Sequence, residues 1–238
     1  MGRITTVIFD MYETLAENNG GLWVELFGRI TAEQGLEVSG QTLFDKWKPR
    51  EMQFRKVRLN LEEPEKSPPF KSYEEAWRDC FVGAFEELGI QGDASAAAKA
   101  SIRDMGERAP YPDALSALPG IQQRCRTGLL SNADNDYLYP ILDRQAWHFE
   151  AVVSSEEVQA YKPLPTPFLI VMEKMGVAPE ESLYIGDSLH DDVLGCKGVG
   201  MRAAWINRPG SPLDLAGPQP DYVLSSLDQL ADVLDGLR

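Results

Sequence analysis

From about residue 110 onward the chain alternates short apolar runs with longer stretches of helical spacing, and no other feature narrows the possible folds as much. The runs Gly128-Leu129-Leu130-Ser131-Asn132, Ala151-Val152-Val153-Ser154, Ser182-Leu183-Tyr184-Ile185 and Met201–Ile206 are short for helices and read as buried strands. Between them lie helical stretches at 114–118, 139–144, 167–175 and 193–198, and a last one over 227–237. Strand and helix in repeated alternation build βαβ units, which assemble a parallel sheet covered on both faces. Near the N-terminus, Val7-Ile8-Phe9 reads as a further fully buried strand. The expectation is an α/β fold with a doubly wound, Rossmann-like parallel-sheet core.

Residues 16–109 differ in character. Leu22, Val24, Leu26, Phe27 and Ile30 recur at helical spacing, and Leu43, Trp47, Met52 and Phe54 do so less cleanly because Pro49 should kink or start a helix. The loop 62–69 is rich in Glu and Pro, after which Tyr73, Trp77, Phe81, Phe85 and Leu88 mark one face of a helix ending before Gly89; such an aromatic stripe is more often core than a ligand box. No strand pattern interrupts this region. The expected division is therefore 1–15 and 110–238 as the core, with 16–109 as an inserted all-helical unit.

Charge excludes several partners. A formal net charge of −14 opposes binding to nucleic acid or to an anionic membrane surface, since both need a basic face. No run of about 18 apolar residues predicts a membrane span, and the first residues lack the pattern of a secretory leader. Three widely separated cysteines without a CxxC make a disulfide framework or zinc site unexpected, and a reducing cytoplasm fits them best. The two histidines, His148 and His190, form no metal-ligand pair and adjoin no nucleophile elbow; His190 reads as a solvated loop residue. The expected partner is a small anionic molecule, held by a local positive site on a monomer or homodimer.

In open α/β sheets, ligands bind outside the carboxyl ends of the strands. Here those ends carry polar residues: Asp10 with Thr14 after the first strand, Ser131-Asn132 after the second, the Lys162-Pro163 turn, and Gly186-Asp187-Ser188 followed by Asp191 and Asp192. Taken singly each is weak, and Asp10 alone could equally be a helix-capping aspartate. Together their order and spacing define a site.

In these four segments the chain resembles the haloacid dehalogenase-like (HAD) hydrolase superfamily, over nearly its whole length. The resemblance makes 16–109 that family's cap and implies a nucleophilic Asp10, an anion-orienting Ser131 and a charge-neutralising Lys162. It further implies magnesium held by Asp10, Asp187 and the backbone carbonyl of Tyr12, with Asp191 or Asp192 in support, and oxygens of the transferring group bound by Thr14, Ser131 and Asn132. The chemistry is coherent: a carboxylate nucleophile attacking an anion needs cations nearby, and a hard metal prefers oxygen ligands.

Position 12 separates two branches of the family. Most of its phosphatases carry a second aspartate where this chain has Tyr12, and a phenol of reference pKa ~10 is a poor water-activating base. Tyrosine there is the habit of the L-2-haloacid dehalogenases, whose halide leaving group needs no proton. The segments Val158–Pro163, Ala204-Trp205-Ile206-Asn207-Arg208 and Pro220–Val223 also look like that branch. Gly186-Asp187 is instead the phosphatase form, because the metal-independent dehalogenases have serines there. The cap arginine that holds the haloacid carboxylate is replaced locally by Lys48, with Arg50 two residues on, and Phe168 stands where that branch has a functional tyrosine. The leading expectation is a magnesium-dependent phosphatase of a small phosphomonoester, with Lys48 and Arg50 as substrate-binding candidates. The alternatives are a metal-independent L-2-haloacid dehalogenase and a catalytically impaired binding protein on the same fold.

Overall fold

The structure is a computed structural model and describes residues 3–236. Six strands form one sheet: β1 (Thr6–Phe9), β2 (Arg126–Ser131), β3 (Ala151–Ser154), β4 (Ser182–Gly186), β5 (Arg202–Ile206) and β6 (Tyr222–Leu224). Their order is β3-β2-β1-β4-β5-β6, and every adjacent pair is parallel. β1 is central, with Val7, Ile8 and Phe9 wholly buried, as a strand covered on both faces requires.

The sheet carries one of two compact units of the chain, made of residues up to Glu17, Ala109–Asn132 and Trp147 onward. Its helices are α5 (Pro112–Gln122), α7 (Ser155–Val158), α8 (Pro165–Met175), α9 (Gly195–Gly198) and α10 (Leu230–Gly236). On one face Phe168, Val171, Met172 and Met175 of α8 join Ile8, Leu130, Val153 and Tyr184 in a continuous apolar cluster. Fully burying side chains of this size contributes roughly 1.5–3 kcal/mol each, before the entropy of ordering them is subtracted. β6 is a strand the sequence reading did not assign: three residues are too few to show a period of two, and Pro220 lies just before them.

The second unit comprises Asn18–Arg108 and Ala133–Ala146. It contains α1 (Gly20–Glu33), α2 (Gly40–Val57), α3 (Tyr73–Leu88), α4 (Ala94–Gly106) and α6 (Asn135–Gln145). Its core is aromatic, with Trp23 stacked on Trp47 at 5.1 Å and Phe27 and Phe81 5.0 Å apart. The Tyr73–Phe85 stripe is thus core. α3 begins at a reciprocal capping box, Ser72 with Glu75. α2 runs through Pro49 instead of starting there, a difference from expectation. Proline removes a backbone donor, and Arg50 donates from its guanidinium to the Lys46 carbonyl in that turn at 2.7 Å. Residues 133–146, grouped by sequence with the sheet, lie in the helical unit because Tyr137 stacks on Trp77 at 5.9 Å.

No helix among the described residues is long and apolar enough to cross a membrane. Cys80, Cys125 and Cys196 are free thiols.

Candidate active site

The strand order reverses between β1 and β4, which run outward from the centre in opposite directions of chain progress. At such a switch point the two following loops diverge and open a crevice. Asp10 is the first residue beyond β1 and Asp187 the first beyond β4; the Asp10 amide still donates to the Ile185 carbonyl at 2.8 Å, which fixes the nucleophile candidate to the rigid sheet.

The loop after Asp10 is a tight knot. The amides of Leu15 and Ala16 both donate to the Met11 carbonyl (2.7 and 2.9 Å), and the Glu13 amide donates to Ala16 at 2.7 Å. Glu13 takes a positive φ of 63°, which costs an L-residue roughly 1–2 kcal/mol. Tyr12 and Thr14 are buried within it, and the Thr14 hydroxyl is enclosed without a hydrogen-bond partner.

Lys162 is the hub of the site. Its side chain is 2% exposed, and its ammonium donates to Asp10 Oδ1 (2.7 Å), Asp192 Oδ1 (2.6 Å) and the Tyr184 hydroxyl (2.8 Å). Burial disfavours the ammonium, but the charges of Asp10 and Asp192 and their hydrogen bonds outweigh it, so Lys162 titrates above its ordinary range. Ser131 Oγ donates to the same Asp10 Oδ1 at 3.0 Å. One oxygen of the nucleophile candidate is thus held by two donors.

Asp10, Asp187 and Asp192 present carboxylate oxygens within 4.8 Å of one another. With one lysine among three carboxylates, full ionisation leaves a net charge of −2. Asp187 pays for this crowding: enclosure of its carboxyl, then the charges of Asp192 and Asp10, raise its pKa well above the ordinary value despite Lys162. Asp192 is lifted to about 6 by burial, opposed by Lys162 and reinforced by Asp10. An all-oxygen cluster two charges short of neutrality is the donor set a hard dication takes, so the residues fit magnesium.

The other sequence candidates separate by position. Asn132 is a strut: its side chain accepts from the Lys162 amide (2.8 Å) and donates to the Lys162 carbonyl and to Asp191 Oδ2, both at 3.2 Å. Asp191 lies outside the three-carboxylate cluster and is also paired with exposed His190 at 2.8 Å. In the helical unit, Lys48 pairs with Glu51 and Arg50 with Glu87, each at 2.9 Å. Phe168 is fully buried and packs edge-on against Tyr184.

Three positioning contacts escaped sequence reasoning. Tyr184 both accepts from Lys162 and donates to the Leu130 carbonyl at 2.8 Å; Trp205 Nε1 donates to the Asp187 carbonyl at 2.7 Å; and Arg208 donates to the Thr14 carbonyl at 2.7 Å. A period of two places Tyr184 on the same strand face as Gly186, which was a usable signal; the other two join residues 18 and 194 apart, and the resemblance marked the segment Ala204–Arg208 without indicating what it touches.

Comparison with known proteins gives the family and the fold. Haloacetate dehalogenase H-2 of Moraxella sp. (strain B) is 23% identical over 98% of this chain and 99% of its own length. Phosphoglycolate phosphatase of Escherichia coli (strain K12) is 32% identical, over 52% of this chain and 50% of that enzyme. Among solved structures, YfnB, a HAD-hydrolase of Bacillus subtilis crystallised with magnesium, superposes with a TM-score of 0.80 at 21% identity, covering 98% of this chain and all of its own (100%). L-2-haloacid dehalogenase of Xanthobacter autotrophicus does so with a TM-score of 0.77 at 22% identity, covering 99% and 100%. A sequence profile described as haloacid dehalogenase-like hydrolase matches residues 4–200, and the chain belongs to that family.

Proposed function

We propose that this protein is a magnesium-dependent phosphatase of a small phosphomonoester, with Asp10 as its nucleophile. The observation that carries this reading is the cluster of Asp10, Asp187 and Asp192, two of them paired with the single Lys162 ammonium; a dication would offset the cluster's excess negative charge. Asp10 Oδ1 is occupied by Ser131 and Lys162, so Oδ2 is the oxygen for attack. Its attack on phosphorus forms an aspartyl phosphate as the bond to the leaving oxygen breaks, and water then attacks that phosphorus to free inorganic phosphate and restore the carboxylate. Lys162 and Ser131 hold Asp10 in place through both steps. Magnesium bound by Asp10, Asp187 and the Tyr12 carbonyl would offset the phosphate charge.

Tyr12 supplies no carboxylic acid to the departing alkoxide. Leaving groups that depart without a proton are therefore favoured, and aryl or acyl phosphates should outpace alkyl phosphates. The test is phosphate release from a panel of sugar, nucleotide, aryl and acyl phosphates. Magnesium-dependent turnover, abolished in Asp10→Asn, supports the reading; undiminished turnover in excess chelator overturns it.

Tyr12 together with the full-length likeness to haloacetate dehalogenase H-2 favours a second reading. Asp10 would then displace halide from the carbon of a short 2-halo acid, forming an ester that water hydrolyses. Halide release from L-2-chloropropionate without added metal is its signature.

A further inference from the structure

We propose that Arg208 is a positioning residue that holds the nucleophile loop in shape from behind. Its guanidinium donates to the Thr14 carbonyl at 2.7 Å and to the Glu13 carbonyl at 3.4 Å, the two peptide oxygens turned out by the knot that follows Asp10. It is itself fixed on two sides. Asp113 Oδ2 accepts from it at 2.8 Å, and its planar group lies over the Tyr111 ring, 3.8 Å from the centroid. The Tyr111 hydroxyl in turn donates to Glu13 Oε2 at 3.0 Å, so side chain and carbonyl of the same strained residue are gripped by one assembly.

Asp113 is no incidental surface acid. Its Oδ2 also accepts from Ser226 Oγ (2.9 Å) and the Leu227 amide (2.8 Å), tying Arg208 to the start of the C-terminal helical segment. A left-handed Glu13 persists only where its surroundings over-determine it. The Glu13 amide bond to Ala16 and the paired bonds to Met11 cross the loop internally, and its far end is tied to the segment before α5 by the Tyr111 amide to the Leu15 carbonyl and the Glu17 amide to the Ala109 carbonyl, both at 2.9 Å. Arg208 adds the bonds that join the Glu13 and Thr14 carbonyls to the end of β5 and to α5. A forked, planar group with several fixed donors suits two adjacent carbonyls and a carboxylate; a lysine offers one mobile point charge. Asp10 stays anchored to the sheet through its amide, but loss of the latch should let the loop from Tyr12 to Thr14 drift relative to it, and displacements of about 1 Å cost about 100-fold in rate.

This inference rests on Asp10 as nucleophile and is indifferent to whether phosphorus or carbon is attacked. The experiment compares Arg208→Ala, Arg208→Lys and Asp113→Asn with the wild type by backbone hydrogen exchange and by kinetics. Kinetics use 4-nitrophenyl phosphate with magnesium, or L-2-chloropropionate, whichever the wild type turns over. In Arg208→Ala, amides of residues 12–17 should exchange at least tenfold faster while those of β2 are unchanged, and kcat should fall about 10–100-fold with KM within about threefold. Free guanidinium at millimolar concentration should restore part of kcat in Arg208→Ala, and Arg208→Lys should lie between. Asp113→Asn should show the same pattern more weakly. Unchanged exchange at 12–17, or faster exchange spread evenly over the sheet, overturns the proposal. If the wild type turns over neither compound nor any member of the phosphate panel, the functional reading fails, and exchange alone decides on Arg208.

Discussion

At the scale of single residues, the site depends on what is missing at position 186. A Cβ built on Gly186 would overlap the Asp192 side chain, coming within 2.6 Å of its Cβ. Asp192 can therefore reach Lys162 and accept from the Ser188 amide at 2.9 Å only across a glycine. Gly186→Ala should push Asp192 aside, costing about 1–3 kcal/mol in stability as overpacking does, and about 100-fold or more in kcat as Lys162 loses its second anchor. Urea midpoints and steady-state rates check this together; activity within about threefold of wild type would contradict the packing argument. Asp10, Ser131 and Asp187 were legible beforehand because each ends or directly follows a strand, and one sheet edge brings strand ends together. Lys162, expected at a strand end, instead follows the short helix α7, and Asp192 lies in the helical turn Leu189–Leu194 beyond β4. Tyr111 and Arg208 were not, since their bonds to Glu13 span 98 and 195 residues and depend on how loops fold over one another.

At the scale of elements, α2 is held by a buried carboxylate. Glu51 is 1% exposed and lies between Lys48 and Arg55, both of which donate to it. Burial raises its pKa, yet Arg55 and Lys48 lower it by more, so it stays ionised below the ordinary carboxylate value of 4.5. A lowered folded pKa means the unfolded chain binds more protons below pH 4.5, so this stabilisation is present above that pH and is lost as pH falls through the folded value. Glu51→Gln should cost about 1–3 kcal/mol at pH 7, and the gap to wild type should narrow in melts run below pH 4.5; a gap that does not vary with pH would show that charge is not its source. Elements with a sustained period, such as α3, were readable in advance. α2 through Pro49, the three-residue β6 and the attachment of α6 to the helical unit were not, because tertiary contacts decide all three against weak local signals.

At the scale of the molecule, a chain of net charge −14 concentrates three carboxylates beyond the ends of β1 and β4, and stability should register what fills that site. Any salt will stabilise such a chain somewhat by screening self-repulsion, so the informative comparison is magnesium against sodium chloride at matched ionic strength. A ligand that binds only the folded state at 100 times its Kd contributes about 2.7 kcal/mol, which for a chain of this size is about 5–10 °C in Tm. Asp187→Asn separates the site from the bulk effect and has a sign of its own. The enclosed Asp187 carboxyl has a raised pKa, so at neutral pH its ionised form opposes folding, and the neutral amide should melt higher than wild type without metal. The same variant should lose most of the magnesium-specific shift while keeping the response to sodium chloride. A wild type that responds alike to both salts would remove the dication from the site and leave the metal-independent displacement of halide as the better account of Asp10.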